Sequence, residues 1–344
     1  MLFNKHILLI TPGFALNNDD DSALPPVKVF VDELLEQLPD CKLTIFSLQF
    51  PFETKMYYYK RAEVYPFNGQ NKTIRKPQIV FKALSLFKKI HKQNRVDIVH
   101  SMWLTDTTLL GQIICRKYEL KHVATAMGQD VLKSNRYLKL INFNRLILVH
   151  LSEFQAQYSN INSQVQFQVI QLGISENNIS NQIKTLDVLG VGNLIAVKNY
   201  SLFVNVINRL SSQNQNIRAV IIGEGNERIQ LEAQIKELGL QENVKLMGKL
   251  KRKETLEAMA KAKVFLHTSS FEGFCMVLAE AAACGCHLVS TPVGIAQEIA
   301  HIGVNELELA NKVQLSLNQT APTTKRIYAI KNTIEQYKKI YETI

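Results

Sequence analysis

Cysteine is scarce and badly spaced for cross-linking in this 344-residue chain: Cys41, Cys115, Cys275, Cys284 and Cys286 are odd in number and scattered. That excludes a disulfide framework and points to reduced thiols in a cytoplasmic setting. Cys284-x-Cys286 has neither a second cysteine pair nor a suitably spaced histidine pair, which argues against structural zinc. Long apolar runs are missing too; none approaches the roughly 20 residues that cross a bilayer. The stretch 1–16 holds one short apolar run broken at Pro12-Gly13, too weak for a secretory leader. No strand is followed by Gly-x-Gly-x-x-Gly and a distal acid, which removes the dinucleotide fingerprint and with it a Rossmann dehydrogenase. Acidic residues nearly vanish between Lys55 and Arg95, where eleven lysines and arginines face Glu63 alone. That excess equals the net +10 of the whole chain. No nucleic-acid motif accompanies the charge, so nucleic acid is not expected as a partner. A basic face suits either a solvated helix or an anionic membrane surface.

What is present fits a two-domain α/β protein. The length supports two cores, and 46% hydrophobic with 20% charged residues is ordinary for a globular chain. His6–Ile10 and Lys42–Phe46 read as buried strands, with an amphipathic helix through Val31, Leu34, Leu35 and Leu38 between them. Residues 50–76 are tyrosine-rich and read as irregular. A helix over Gln78–Gln93 is expected to turn Phe81, Leu84, Phe87 and Ile90 to one side and its lysines elsewhere. A polar run, Ser175–Lys184, is the expected linker, and Leu186–Gly192 opens a second strand series. The domains are therefore placed at 1–180 and 185–324, with a final amphipathic helix from 325 to 344.

The stretch from Val264 to Gly285 carries the most chemistry. Val264–Thr268 is apolar and β-branched, a buried-strand pattern; Met276 onward is rich in strong helix formers until Gly285 ends the run. The loop between them contains Glu272, Gly273, Phe274 and Cys275. A helix beginning at Met276 leaves open N–H groups and a positive dipole end near Cys275 and Met276, a seat for phosphate. Glu280 lies about 6 Å further along the axis at 1.5 Å per residue. A nucleotide sugar presents sugar hydroxyls, diphosphate and ribose hydroxyls in that order. An ordinary strand-to-helix crossover with two surface glutamates is the plain alternative.

This stretch resembles the Glu-x7-Glu signature of glycosyltransferase family 4, retaining enzymes of the GT-B fold. The downstream Ser290-Thr291-Pro292-Val293-Gly294 and Glu298-Ile299 extend the resemblance. It implies an α/β chain of two Rossmann-like β/α/β domains facing across a cleft, with the last helix crossing back to the first domain. It implies that Glu272 lies by the donor sugar, that Gly273, Phe274, Cys275 and Met276 hold sugar and phosphate, and that Glu280 grips the ribose. The family usually has glycine at Cys275. Asn193–Asn199 resembles Gly-Arg-Leu-x-x-x-Lys-Gly: Lys198 is kept as the cation on the diphosphate, and Asn193 replaces the arginine. Met247 and Gly248 are expected to line the nucleobase pocket, and Gly13 to approach the donor.

In the first half the resemblance is more diffuse. Asp97-Ile98-Val99-His100 matches Asp-x-x-His-x-His with Met102 at the second histidine, and His100 is expected on the acceptor side. Thr125–Asp130 resembles Thr-x-His-Gly-x-Asp with Met127 at the histidine. Either Met127 then packs on an apolar C6, as in a 6-deoxy sugar, or the donor site is degraded; Gly128 and Asp130 are expected to hold the loop, with Asp130 counted with Glu272 and Lys198 in the catalytic set. Asp19 to Asp21 are assigned to acceptor binding or to nothing. The residues 186–299 hold no Asp-x-Asp, so no metal and no cofactor is expected beyond a UDP- or GDP-linked donor. The expected function is transfer of a sugar to a glycan or lipid-linked acceptor in surface polysaccharide or glycan synthesis. The expected location is cytoplasmic, peripheral at the inner face of the membrane through residues 55–95. A nucleotide-sugar-binding protein without transfer is the alternative.

Overall fold

Short β-branched runs alternating with amphipathic helices favour parallel sheets covered on both faces, and the computed structural model shows two of them. It describes residues 4–18, 20, 23–162, 164–175, 182–319 and 328–344. Asp19, Asp21 and 176–181 of the expected linker lie outside the described residues. The chain divides into a unit of 1–172 with 330–344, and a unit of 173–329.

The first unit runs β1 (His6–Gly13), α1 (Pro25–Gln37), β2 (Lys42–Phe50), β3 (Tyr57–Tyr59), β4 (Ala62–Pro66), α2 (Lys76–Gln93), β5 (Ile98–Met102), α3 (Asp106–Tyr118), β6 (Lys121–Thr125), β7 (Ile147–His150), α4 (Glu153–Gln157) and β8 (Phe167–Val169). Its sheet order is β3-β4-β2-β1-β5-β6-β7-β8. Every pairing is parallel except β3 with β4. β1, fully apolar from Ile7 to Ile10, sits centrally because both its faces are covered. One core lies against α1, the other against α2 and α3.

Two expectations for this unit are corrected. Residues 50–76 are not irregular throughout: β3 and β4 form an antiparallel pair, with Tyr57 opposite Val64 and Tyr59 opposite Ala62. Helix α2 buries Ile79, Ala83, Phe87 and Ile90, while Phe81 is 75% exposed. The side that meets the sheet is rotated from the one that the largest rings suggested.

The second unit runs β9 (Leu186–Val191), α5 (Tyr200–Ser211), β10 (Ala219–Ile222), α6 (Arg228–Glu237), β11 (Val244–Leu246), α7 (Arg252–Lys261), β12 (Ala262–His267), α8 (Met276–Ala283), β13 (His287–Ser290), α9 (Ala296–Ile299), β14 (His301–Ile302) and α10 (Glu306–Leu317). Its parallel sheet has the order β11-β10-β9-β12-β13-β14. The order reverses between β9 and β12, the position where open α/β sheets form a ligand crevice at the carboxyl ends of their strands.

Helix α11 (Ile330–Thr343) groups with the first unit. Its Ile334, Tyr337, Ile340 and Tyr341 join the α1-side core. Thr333 Oγ1 donates to the Gln171 carbonyl at 2.8 Å, and Lys5 Nζ to the Ile344 carbonyl at 3.1 Å.

Candidate active site

The loop between β12 and α8 is held by its neighbours before any ligand arrives. Ser270 N–H donates to the Val197 carbonyl at 2.8 Å, Thr268 Oγ1 to the Lys198 carbonyl at 3.1 Å, and Thr291 Oγ1 to the Ser269 carbonyl at 2.6 Å. A Cβ on Gly294 would lie 2.3 Å from the Phe274 carbonyl oxygen, so the turn after β13 needs glycine to sit against this loop. The loop after β9 is packed in the same way. A Cβ on Gly223 would lie 1.8 Å from the Gly192 carbonyl oxygen, and one on Gly225 would lie 2.2 Å from that of Leu194. The Gly-x-Gly turn thus works by letting two backbones touch.

These contacts bring Lys198 to Glu272. Lys198 Nζ is 2.5 Å from Glu272 Oε1, and the same oxygen accepts from Ser269 Oγ at 2.9 Å and lies 3.2 Å from His267 Nε2. Burial pushes the Glu272 carboxyl up, but the His267 ring and the Lys198 ammonium outweigh it and hold the group at about 2. Glu272 is therefore an anion at any ordinary pH. It can orient a substrate and offset positive charge, but it has no proton to give.

Cys275 adopts φ +79° immediately before α8, in the left-handed region that favours glycine. Its thiol lies 3.2 Å from His267 Nε2, and burial, then the nearby Glu272 charge, keep it protonated. The main-chain N–H groups of Phe274, Cys275 and Met276 donate to no described residue. Phe274 and Cys275 are nonetheless buried, at 3% and 4% exposure. Unpaired amides at a helix start are groups that can take an anion.

One turn into α8, Glu280 is buried and accepts from Arg252 Nη2 at 2.7 Å. Burial raises its carboxyl, and Arg252 pulls the other way. Asn193 is exposed beside the loop after β9, Met247 is 53% exposed, and Gly248 at φ +74° faces the Glu224 carboxylate. His267, Ser269 and Arg252 were not singled out from the sequence. His267 reads there as the last residue of a buried strand, and Arg252 lies 28 positions from its partner. His267, Glu272 and Cys275 also bring one nitrogen, one oxygen and one sulfur within 4.8 Å of one another, a donor set that could hold a metal ion. Lys198 already supplies positive charge there.

In the first unit the residues matched to the family motif point inward. His100 is fully buried, with Nδ1 2.6 Å from Tyr341 Oη and Nε2 2.8 Å from Thr125 Oγ1. Burial depresses it to about 3, so it is neutral. An acceptor cannot reach it, and the acceptor-side assignment is corrected to a structural one. The Asp130 carboxylate accepts from the amides of Leu104 at 2.8 Å, Gly128 at 2.7 Å and Met127 at 3.1 Å. Both of its oxygens are taken up by main-chain amides that hold the 126–130 loop and the turn after β5. Met127 packs partly buried on the α1-side core, and Gly13 is flanked by Leu24 and Phe50.

A sucrose-phosphate synthase structure from Thermosynechococcus elongatus superposes with a TM-score of 0.80 at 15% identity, covering 98% of each chain, so the fold is GT-B. The family described as glycosyl transferases group 1 matches residues 175–326, and the one described as glycosyl transferase 4-like matches 28–163. Both halves of the chain thus match families of glycosyltransferases. It is 33% identical over 114 residues to the phosphatidylinositol N-acetylglucosaminyltransferase gpi3 subunit of Schizosaccharomyces pombe, 33% of this chain and 25% of the relative. It is 39% identical over 109 residues to a Campylobacter jejuni N-acetylgalactosaminyltransferase named for a diphospho-undecaprenol substrate, 32% of this chain and 28% of the relative. The aligned segments thus span about a quarter of each relative's length.

Proposed function

We propose that this chain is a retaining, metal-independent glycosyltransferase that moves a sugar from a UDP- or GDP-linked donor to a glycan or lipid-linked acceptor. The carrying observation is the row formed by Glu272, the unpaired amides of 274–276 and Glu280, with Lys198 on the first carboxylate. The diphosphate takes the amides and draws Lys198 from Glu272, so that cation and amides stabilise charge building on the leaving phosphate. Glu272, ionised throughout, orients the sugar and balances its cationic character. Glu280 meets the ribose hydroxyls. The proton of the acceptor hydroxyl leaves with the phosphate oxygen, on the same face of the sugar.

The names of both relatives, one for phosphatidylinositol and one for diphospho-undecaprenol, support a lipid-linked acceptor. No described helix is long and apolar enough to cross a membrane. A peripheral contact at the cytoplasmic face would use α2, where Phe81 is exposed among Lys82, Lys88 and Lys89, and Ile74 just before it is 88% exposed. Transfer is tested by offering UDP- and GDP-sugars with lipid-linked acceptors, with and without chelator. Turnover that survives chelation and yields the donor's anomeric configuration is expected. Inverted product, or turnover that needs added metal, contradicts the reading. Co-sedimentation with anionic but not neutral vesicles checks the membrane face.

A further inference from the structure

The chain's single tryptophan, Trp103, occupies the turn after β5 with φ +68°. A bulky residue in this region is an outlier that persists only where its surroundings enforce it. Here they do. Trp103 N–H donates to the Thr125 carbonyl at 2.9 Å, and its own carbonyl accepts from Thr107 Oγ1 at 2.6 Å and Thr108 Oγ1 at 2.8 Å. The next residue is held on both sides, Leu104 N–H by Asp130 at 2.8 Å and its carbonyl by Asn135 Nδ2 at 2.8 Å. Asp130 therefore serves the turn that carries Trp103 as well as its own loop.

The indole stands at the carboxyl edge of the sheet, on the strand between β1 and β6. It is partly buried on the α1-side core, as are Leu24, Tyr57 and Met127. Leu24 lies beside Gly13 and Tyr57 bonds the Ala15 carbonyl at 2.6 Å, so both belong to the end of β1; Met127 follows β6. The indole N–H has no acceptor among the described residues and is open to solvent. A flat ring on an apolar floor, with a free donor at its edge, matches a pyranose: C–H groups on the face and hydroxyls around the rim. An alkyl chain would leave the donor unused.

We propose that Trp103 is the stacking platform for the sugar ring of the acceptor. The assignment to the acceptor rests on the transferase reading above; the sugar site itself does not. Because Trp103 is the only tryptophan, protein emission excited at the red edge reports on it alone. The full chain is titrated with methyl β-N-acetylglucosaminide, methyl β-galactoside and methyl α-mannoside, and with decyl phosphate as the lipid probe. A saturable emission change with at least one glycoside and none with decyl phosphate is expected. In Trp103→Ala or Trp103→Gly, the latter at ease at this φ, half-saturation measured by saturation-transfer NMR should rise roughly tenfold; Trp103→Phe should show a smaller rise. Folding is checked by circular dichroism. Flat emission with every glycoside, a response to decyl phosphate alone, or a folded Trp103→Gly variant with half-saturation unchanged each overturns the proposal. Donor turnover with no glycoside response sinks the platform and leaves the transferase; a glycoside response without donor turnover does the reverse.

Discussion

The two sheets end in similar edges that are built for different work. In the second unit the edge gathers polar groups: a paired lysine and glutamate, three amides with no partner among the described residues and a carboxylate held by an arginine. In the first unit the comparable polar groups turn inward. Asp130 is consumed by main-chain amides, His100 by Thr125 and a tyrosine of α11, and an apolar rim is left facing out. One architecture thus gathers charged groups at one edge and apolar ones at the other. A motif residue is functional only where its neighbours leave an atom of it unspent.

The largest expected effect is on the charged edge. Lys198→Ala and Glu272→Ala should each lower kcat by about 10²–10³, the usual loss when one group that stabilises transition-state charge is removed. Comparable losses from Asp130→Asn, with the protein intact, would erase the contrast between the units. Next is Arg252→Ala, which strands the buried Glu280 carboxylate. Breaking such a pair costs about 3–5 kcal/mol, read as a fall in denaturant midpoint. Adding Glu280→Gln to it should restore much of that loss while still raising the donor KM. In the first unit, His100→Ala removes one hydrogen bond each from the Tyr341 and Thr125 hydroxyls. A cost of about 1–3 kcal/mol is expected, with donor KM unchanged.

Acid titration sharpens the comparison further. The folded Glu272 carboxyl lies near 2 against an ordinary 4.5. A depressed folded value means that its stabilisation is fully present above 4.5 and is lost as pH falls toward 2. Glu272→Gln should flatten the stability profile across that window; an unchanged slope would show that the ion pair is not made. The smallest effect concerns Cys275. Glycine is at ease at φ +79°, so Cys275→Gly should relieve about 1–2 kcal/mol of backbone strain, offset in part by the lost thiol packing. A Tm within a few degrees of the parent is expected, and a β-branched residue there should lower it.

The strand, loop and helix around Glu272 could be read almost to the residue, because a β-branched run, a glycine and an alanine-rich helix are local signals. The same holds for Lys198 and Glu280, whose spacing carries the family pattern. His267, Arg252 and Ser269 were invisible as site residues, since their roles come from contacts that only folding creates. In the first unit β3 and β4 escaped notice because strands of three and five residues draw their order from pairing rather than from pattern. Phe81 misled for a related reason. Helix α2 meets the sheet through Ile79 and Ala83, and ring size does not decide burial. His100 matched a motif by name, while the α11 tyrosine that occupies it lies 241 positions away.

On the proposed function, the amide-rich start of α8, between Glu272 and Glu280, seats the donor phosphates. Amide NMR of the labelled full chain during a titration with UDP and GDP tests it directly. With at least one nucleotide, the resonances of Phe274, Cys275 and Met276 are expected to move most and to saturate together with that of the Lys198 ammonium. Saturable binding that leaves those three amides unmoved would contradict it.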